Sequence, residues 1–191
     1  MNLTGILLAA GSGSRFGGDK LLAVLPDGTP LAVAAVRALH AVLPEVIAVV
    51  RPGDTRLAAV LAAEGVRVIE CPNAATGMGA SLAWGVKHAP AAEGWVVGLG
   101  DMPFVQPQTV AMVAAVLAAG AALAAPVYQG RRGHPVGFTA AYRAALAALS
   151  ADAGARDILT DAGAALTLIE VDDPGLLRDV DVPADLGGAR R

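Results

Sequence analysis

The residues best placed to do chemistry in this 191-residue chain are two cations in a glycine loop and a few strand-end carboxylates. Leu8 to Lys20 reads LAAGSGSRFGGDK and directly follows the apolar run Leu3 to Ala9. Small residues let successive backbone N–H groups converge on an anion as a nest. Arg15 can fork onto phosphate and Lys20 adds a point charge. The segment Val96-Val97-Gly98-Leu99-Gly100-Asp101 sets a carboxylate behind a second apolar run, with a glycine before it that allows close approach. Next to bound phosphates such a carboxylate is a natural magnesium ligand, because Mg2+ usually takes one or two protein carboxylates plus phosphate oxygens and water. The competing role for Asp101 is a cap on the next helix or turn. Near the C-terminus, Asp179 and Asp181 share a face if their segment is extended; otherwise they belong to a solvated acidic loop.

Two familiar phosphate loops do not fit. A Walker A loop needs lysine directly after its second glycine and then Ser or Thr. Here Asp19 follows Gly18, and Leu21 follows Lys20. A dinucleotide fingerprint needs a third glycine where Phe16 stands. An anion-binding loop of another kind remains, against the plain alternative of a solvated glycine loop.

Composition narrows the classes. Hydrophobic residues make up 55%, charged residues 16% and aromatics 4%, a composition opposite to that of a disordered chain. The net charge of −3 argues against a nucleic-acid surface. A lone cysteine, Cys71, forms no internal disulfide and no metal cluster; it reads as an inert thiol in a cytoplasmic protein. No charged residue lies between Asp101 and Arg131, but prolines and Gly120 break that stretch, so it reads as loop, helix and strand rather than a membrane span.

The elements that must position these residues alternate. Strands are expected at 3–9, 46–51, 66–70, 95–99, 122–127 and 166–171. Helices are expected at 30–43, from Asp54 to about 64, at 78–88, 107–119, 139–149 and 154–161. Continuously apolar strands alternating with helices predict a three-layer α/β/α domain with a mostly parallel sheet. Ligands bind such sheets at the carboxyl ends of the strands, where the loops at 10–20, 71–79 and 100–103 emerge. His40 and His88 read as structural residues on helices, and Trp84 and Trp95 as packing.

Six segments in series then resemble the molybdenum cofactor nucleotidyltransferases, a MobA-like group in the glycosyltransferase-A-like superfamily. They are LAAGSGSRFGGDK, GMGASL at 77–82, LGDMP at 99–103, GRRGHPVGF at 130–138, GARDIL at 154–159 and DVDVPADL at 179–186. They are most similar to the CTP:molybdenum cofactor cytidylyltransferase type. Guanylyl members typically carry GPLAG-like and GGxGxRMGGxDK segments instead, although the Gly-Gly-Asp-Lys ending is shared.

The resemblance implies a Rossmann-like nucleotidyltransferase fold in one domain over residues 1–191. Leu8, Ala9, Ala10, Gly11 and Ser12 would line the nucleotide, and Ala10, Gly11 and Gly13 would wrap its phosphates. Arg15 and Lys20 would hold the triphosphate and its pyrophosphate leaving group. Asp101 and Asp181 would bind Mg2+. Pro72, Asn73 and Gly77 would face the base, and Ser81 the base or ribose. Arg132, Gly133 and His134 would shape the acceptor side. The implied reaction transfers CMP from CTP to the terminal phosphate of molybdopterin, and a molybdoenzyme apoprotein is an implied partner. A phosphate monoester is mostly dianionic at neutral pH, so it needs positioning and charge neutralisation rather than a strong base. The alternatives are GTP-dependent transfer, another phosphate acceptor, a non-catalytic cofactor carrier, and an NAD(P)H oxidoreductase.

Overall fold

In the computed structural model, which describes residues 1–11, 16, 18–150 and 154–187, the apolar runs become strands covered on both faces. They are β1 (Leu3–Ala9), β2 (Glu45–Val50), β3 (Arg67–Glu70), β4 (Gly94–Leu99), β5 (Leu123–Tyr128), β6 (Arg131–Arg132), β7 (Val136–Thr139) and β8 (Leu166–Glu170). The helices are α1 (Leu31–His40), α2 (Thr55–Ala62), α3 (Met78–Lys87), α4 (Pro107–Ala118), α5 (Arg143–Ala147) and α6 (Arg156–Asp161).

Every residue of β1 is buried. Successive side chains point to opposite faces of a strand, so Leu3, Leu7 and Ala9 enter one core while Ile6 and Leu8 enter the other. The first core is closed by Val36 and Leu39 of α1, Leu57 and Leu61 of α2, and Val110, Val113 and Leu117 of α4. The second is closed by Leu82 and Val86 of α3, Leu146 of α5 and Leu159 of α6. The three layers match the expectation.

The sheet runs β3-β2-β1-β4 in parallel, then β7, then β5 with β8 on its far edge. β7 lies antiparallel to both of its neighbours, and β6 folds back on β5 as a short hairpin. These two strands correct the sequence reading, which placed a helix over 139–149 and no strand before it. α5 covers only five residues, preceded by a 3-10 turn over Ala140–Tyr142. β7 is four residues long with Gly137 at its centre, so it presents too few apolar positions to show a period. That glycine is needed, because a Cβ there would lie 2.7 Å from Leu117 Cδ1 of α4. The His134–Pro135 peptide between β6 and β7 is cis.

The uncharged stretch after Asp101 resolves into a loop, the twelve-residue α4 and β5. Among the described residues no helix is long and apolar enough to cross a membrane. The first turn of α4 is capped from far away in the chain. The buried carboxylate of Asp173 accepts hydrogen bonds from Gln106 N at 2.9 Å, Thr109 Oγ1 at 2.7 Å and Gly175 N at 2.9 Å. The cap role considered for Asp101 at this helix therefore belongs to Asp173. Its bonds pin the segment after β8 across the carboxyl edge of the sheet.

Candidate active site

The carboxyl edge gathers the end of each parallel strand, and the site is built from those ends. Lys20 opens a 3-10 turn, Lys20–Leu22, whose two leucines pack on the α1 core. With the leucines anchored, the lysine stem turns inward and is only 9% exposed. Asp101 lies just past the end of β4. Gly100 N donates to Leu8 O at 2.9 Å, and a Cβ on Gly100 would come within 3.3 Å of Ala9 Cβ and of Leu8 O. This is the close approach for which the sequence reserves a glycine. Asp181 arrives from the C-terminal segment: Val180 is fully buried and its N–H donates to Asp101 O at 2.9 Å. Asp185 Oδ2 then accepts from Asp181 N at 3.0 Å and Val182 N at 3.1 Å.

Lys20 Nζ donates to Asp101 Oδ2 and to Asp181 Oδ1, each at 3.0 Å. Two carboxylates thus converge on one cation. Burial alone would draw the Lys20 ammonium below its ordinary range, but the hydrogen bonds and charges of Asp101 and then Asp181 outweigh it and raise the pKa. Of the two candidate aspartates near the C-terminus, Asp181 meets the lysine and Asp179 lies exposed at the surface.

Beside this cluster opens a cleft of about 480 Å³, a size typical of small-molecule sites. Of the residues expected to bind nucleotide, Leu8, Ala10, Gly11, Lys20, Gly77 and Ser81 line it, together with Asp101. The side chain of Ala9 points into the core instead. Pro72 and Asn73 are exposed and do not line the cleft; Ala74 and Ala75, in the 3-10 turn that follows, do. Ser12, Gly13 and Arg15 lie outside the described residues.

None of the three acceptor-side residues lines this cleft. Arg132 is exposed on β6. Gly133 is a packing residue, since a Cβ there would overlap the carbonyl of Leu176. His134 is half-buried, its backbone N–H donating to Leu176 O at 3.2 Å, and it borders a small void with Leu99 and Met102. Burial pushes its pKa down to about 4, against the opposing pull of Asp101 and with help from the Arg132 charge. The imidazole is therefore neutral at physiological pH.

Sequence reading missed Arg51 as a site residue and took Asp54 only as a helix cap. Asp54 does cap α2, accepting from Leu57 N at 3.3 Å, but both side chains also line the cleft. The available signal was position: Arg51 directly follows β2 as Ala10 follows β1.

Residues 5–166 match the MobA-like NTP transferase domain. The chain belongs to this family. This MobA-like protein is 31% identical over 188 residues to nicotine blue oxidoreductase of Paenarthrobacter nicotinovorans, covering 94% of this chain and 92% of that one. Its structure resembles Rv0371c from Mycobacterium tuberculosis H37Rv, with a TM-score of 0.85, 28% identity, and 97% and 95% of the two chains covered. A crystal structure of Rv0371c in complex with manganese aligns with a TM-score of 0.74 at 26% identity, covering 98% and 94%. The MobA-like protein is thus a nucleotidyltransferase with a single-layer sheet between two helical layers.

Proposed function

We propose that the chain transfers CMP from CTP to the terminal phosphate of a molybdopterin-type cofactor and releases pyrophosphate. The observation that carries the reading is the convergence of Asp101 and Asp181 on Lys20, each at 3.0 Å, at the edge of a glycine-walled cleft. The preference for CTP rests on the GMGASL and AAGSGSRFGGDK segments.

Asp101 and Asp181 fit a divalent cation, because their Oδ2 and Oδ1 atoms already share one positive charge. When bound, Mg2+ supplies charge neutralisation at the phosphates and polarises the phosphorus under attack. The manganese complex of Rv0371c supports a divalent cation in this family. The chain's own groups do the rest. Lys20, released from the carboxylates, turns its ammonium to the triphosphate, and Arg15 adds a second positive charge. The backbone of Ala10 and Gly11 lies along the cleft wall, where N–H groups can face phosphate oxygens. The acceptor's phosphate oxygen attacks the α-phosphorus of CTP, the bond to the β-phosphate oxygen breaks, and pyrophosphate leaves with that electron pair. No side chain has to remove a proton, because the attacking phosphate monoester is mostly dianionic at neutral pH.

Calorimetric titration with CTP, GTP and NADPH, each with and without Mg2+, tests the reading. Magnesium-dependent binding of CTP over GTP is expected. GTP preference moves the assignment to guanylyl transfer. The name of the Paenarthrobacter relative makes NADPH the necessary control, and binding of NADPH alone overturns nucleotidyl transfer. Turnover is then measured as pyrophosphate release on adding molybdopterin, and a carrier would bind it without release.

A further inference from the structure

The charged groups of the cleft fall into two clusters, and the proposed phosphate chemistry uses only one. The unused cluster centres on Arg51. Its Nε donates to Asp54 Oδ2 at 3.0 Å, and Nη2 lies 3.8 Å from Asp19 Oδ1. Asp54 is itself fixed as the cap of α2, and Asp19 is held on its other oxygen by Arg56 at 3.1 Å. The turn Arg51-Pro52-Gly53-Asp54 has proline at its second position and Gly53 at φ +76° at its third, the arrangement a type II turn requires. Arginine and orienting aspartate are thus fixed by a local turn. With Nε taken and Nη2 in only a loose ion pair with Asp19 at 3.8 Å, a ligand that displaces Asp19 meets the Nη1/Nη2 edge.

Strand register gives the distance between clusters. Ala9 pairs with Val50 and Leu8 with Leu99, so Arg51, Ala10 and Asp101 stand level at three adjacent strand ends. Neighbouring strands lie about 4.8 Å apart, which sets Arg51 about 10 Å across the edge from Asp101. Between them lies the start of the glycine loop. The cleft that Arg51 lines also carries the apolar residues Leu57, Ala74, Ala75 and Met78. A nucleotide with its phosphates at Lys20 and Asp101 is long enough to bring its base to Arg51 at the end of β2.

We propose that Arg51, oriented by Asp54, is a specificity residue that reads two adjacent hydrogen-bond acceptors on the edge of the nucleobase. The inference rests on the nucleotidyltransferase reading above. A guanidinium edge offers two parallel donors and accepts nothing. Cytosine presents adjacent acceptors at O2 and N3, and guanine at O6 and N7. Uracil sets an N3–H donor beside O2, and adenine sets an amino group beside N7, so each opposes one of the two donors. Arg51 therefore selects CTP over UTP, or GTP over ATP, whichever ring the rest of the cleft admits.

The experiment compares wild type with Arg51→Lys and Arg51→Met, measuring binding of CTP, UTP, GTP, ATP and inorganic tripolyphosphate at fixed Mg2+. Lysine keeps the charge but not the fork. The wild type is expected to favour CTP over UTP, or GTP over ATP, by about tenfold or more. Both variants should lose most of that ratio while binding tripolyphosphate as the wild type does. A variant that weakens both members of a pair equally overturns the proposal, and so does a parallel loss of tripolyphosphate, which would make Arg51 a phosphate ligand. A wild type that binds nucleotides without such discrimination also overturns it and leaves nucleotidyl transfer standing. A wild type that binds no triphosphate removes both.

Discussion

Replacing Lys20 with methionine should tighten divalent-metal binding in the absence of nucleotide while abolishing turnover. The ammonium occupies the position on which Asp101 and Asp181 converge, at 3.0 Å from each, so a metal entering the pair must first displace it. Exposed ion pairs contribute about 0.2–1 kcal/mol, whereas stripping a buried charge of its partner costs about 3–5 kcal/mol. This cluster lies between those limits: Lys20 is 9% exposed, Asp101 29% and Asp181 42%. Solvent screening at the two acids brings the loss to about 2 kcal/mol. At 1.4 kcal/mol per tenfold, metal affinity should then rise about thirtyfold in the variant.

Electron paramagnetic resonance of free Mn2+ reads that affinity directly. Thermal unfolding gives a second readout: Lys20→Met should be less stable than wild type without metal and should recover more stability when Mn2+ is added, since a ligand bound only to the native state stabilises it by mass action. Adding a triphosphate gives the wild-type ammonium a new anionic partner, so the gap in metal affinity should narrow. Unchanged or weaker Mn2+ binding by the variant without nucleotide would refute the reasoning, because the ammonium and the metal would then not compete for one position.

Two other outcomes follow from His134 and Asp173. His134 takes up a proton near pH 4 in the native state and near 6.5 when unfolded, so between those values the unfolded chain holds more protons and stability falls as pH drops. The loss totals about 3 kcal/mol, and His134→Gln should flatten urea-unfolding stability over that window; a slope unchanged in the variant would assign it elsewhere. Asp173→Ala removes three hydrogen bonds of 2.7–2.9 Å from a buried carboxylate, which should cost about 3 kcal/mol in urea unfolding. By loosening the segment that carries Asp181, it should also weaken Mn2+ binding, and full metal affinity in a destabilised variant would show that the segment is held by other means.

The legible part of the site was the part fixed by local rules. A parallel sheet brings all its strand ends to one edge, so polar residues that directly follow apolar runs must meet there. That logic locates the glycine loop and Asp101 without a structure, whereas Ser81, inside α3, follows only from the family resemblance. It would also have found Arg51, had the residue after β2 been read as a loop residue instead of the last residue of a strand. Asp181 is different. Its spacing from Asp179 says nothing about Lys20; its place depends on Val180 bonding to Asp101 and on Asp173 pinning the preceding turn, contacts between residues far apart in sequence. β7 was hidden because four residues with a central glycine carry no period, and a short run of alanines after it imitates a longer helix.

The same strand order explains why the cleft has a direction. β1 is central, β2 lies on one side and β4 on the other. A guanidinium clamped by a carboxylate stands at the end of β2, a run of small residues at the end of β1, and an acid sharing a cation at the end of β4. Small residues in the middle let a ligand lie against backbone, while the flanks differ in what they can recognise. The β2 flank offers a guanidinium oriented by Asp54, which suits a flat ring with acceptors on its edge. The β4 flank offers exchangeable positive charge, which suits phosphate. On the proposed reading, a ligand with a ring at one end and phosphates at the other lies with its ring at the β2 flank and its phosphates at the β4 flank. Substitutions at Arg51 and at Lys20 should accordingly separate into effects on which base is accepted and effects on metal and phosphate.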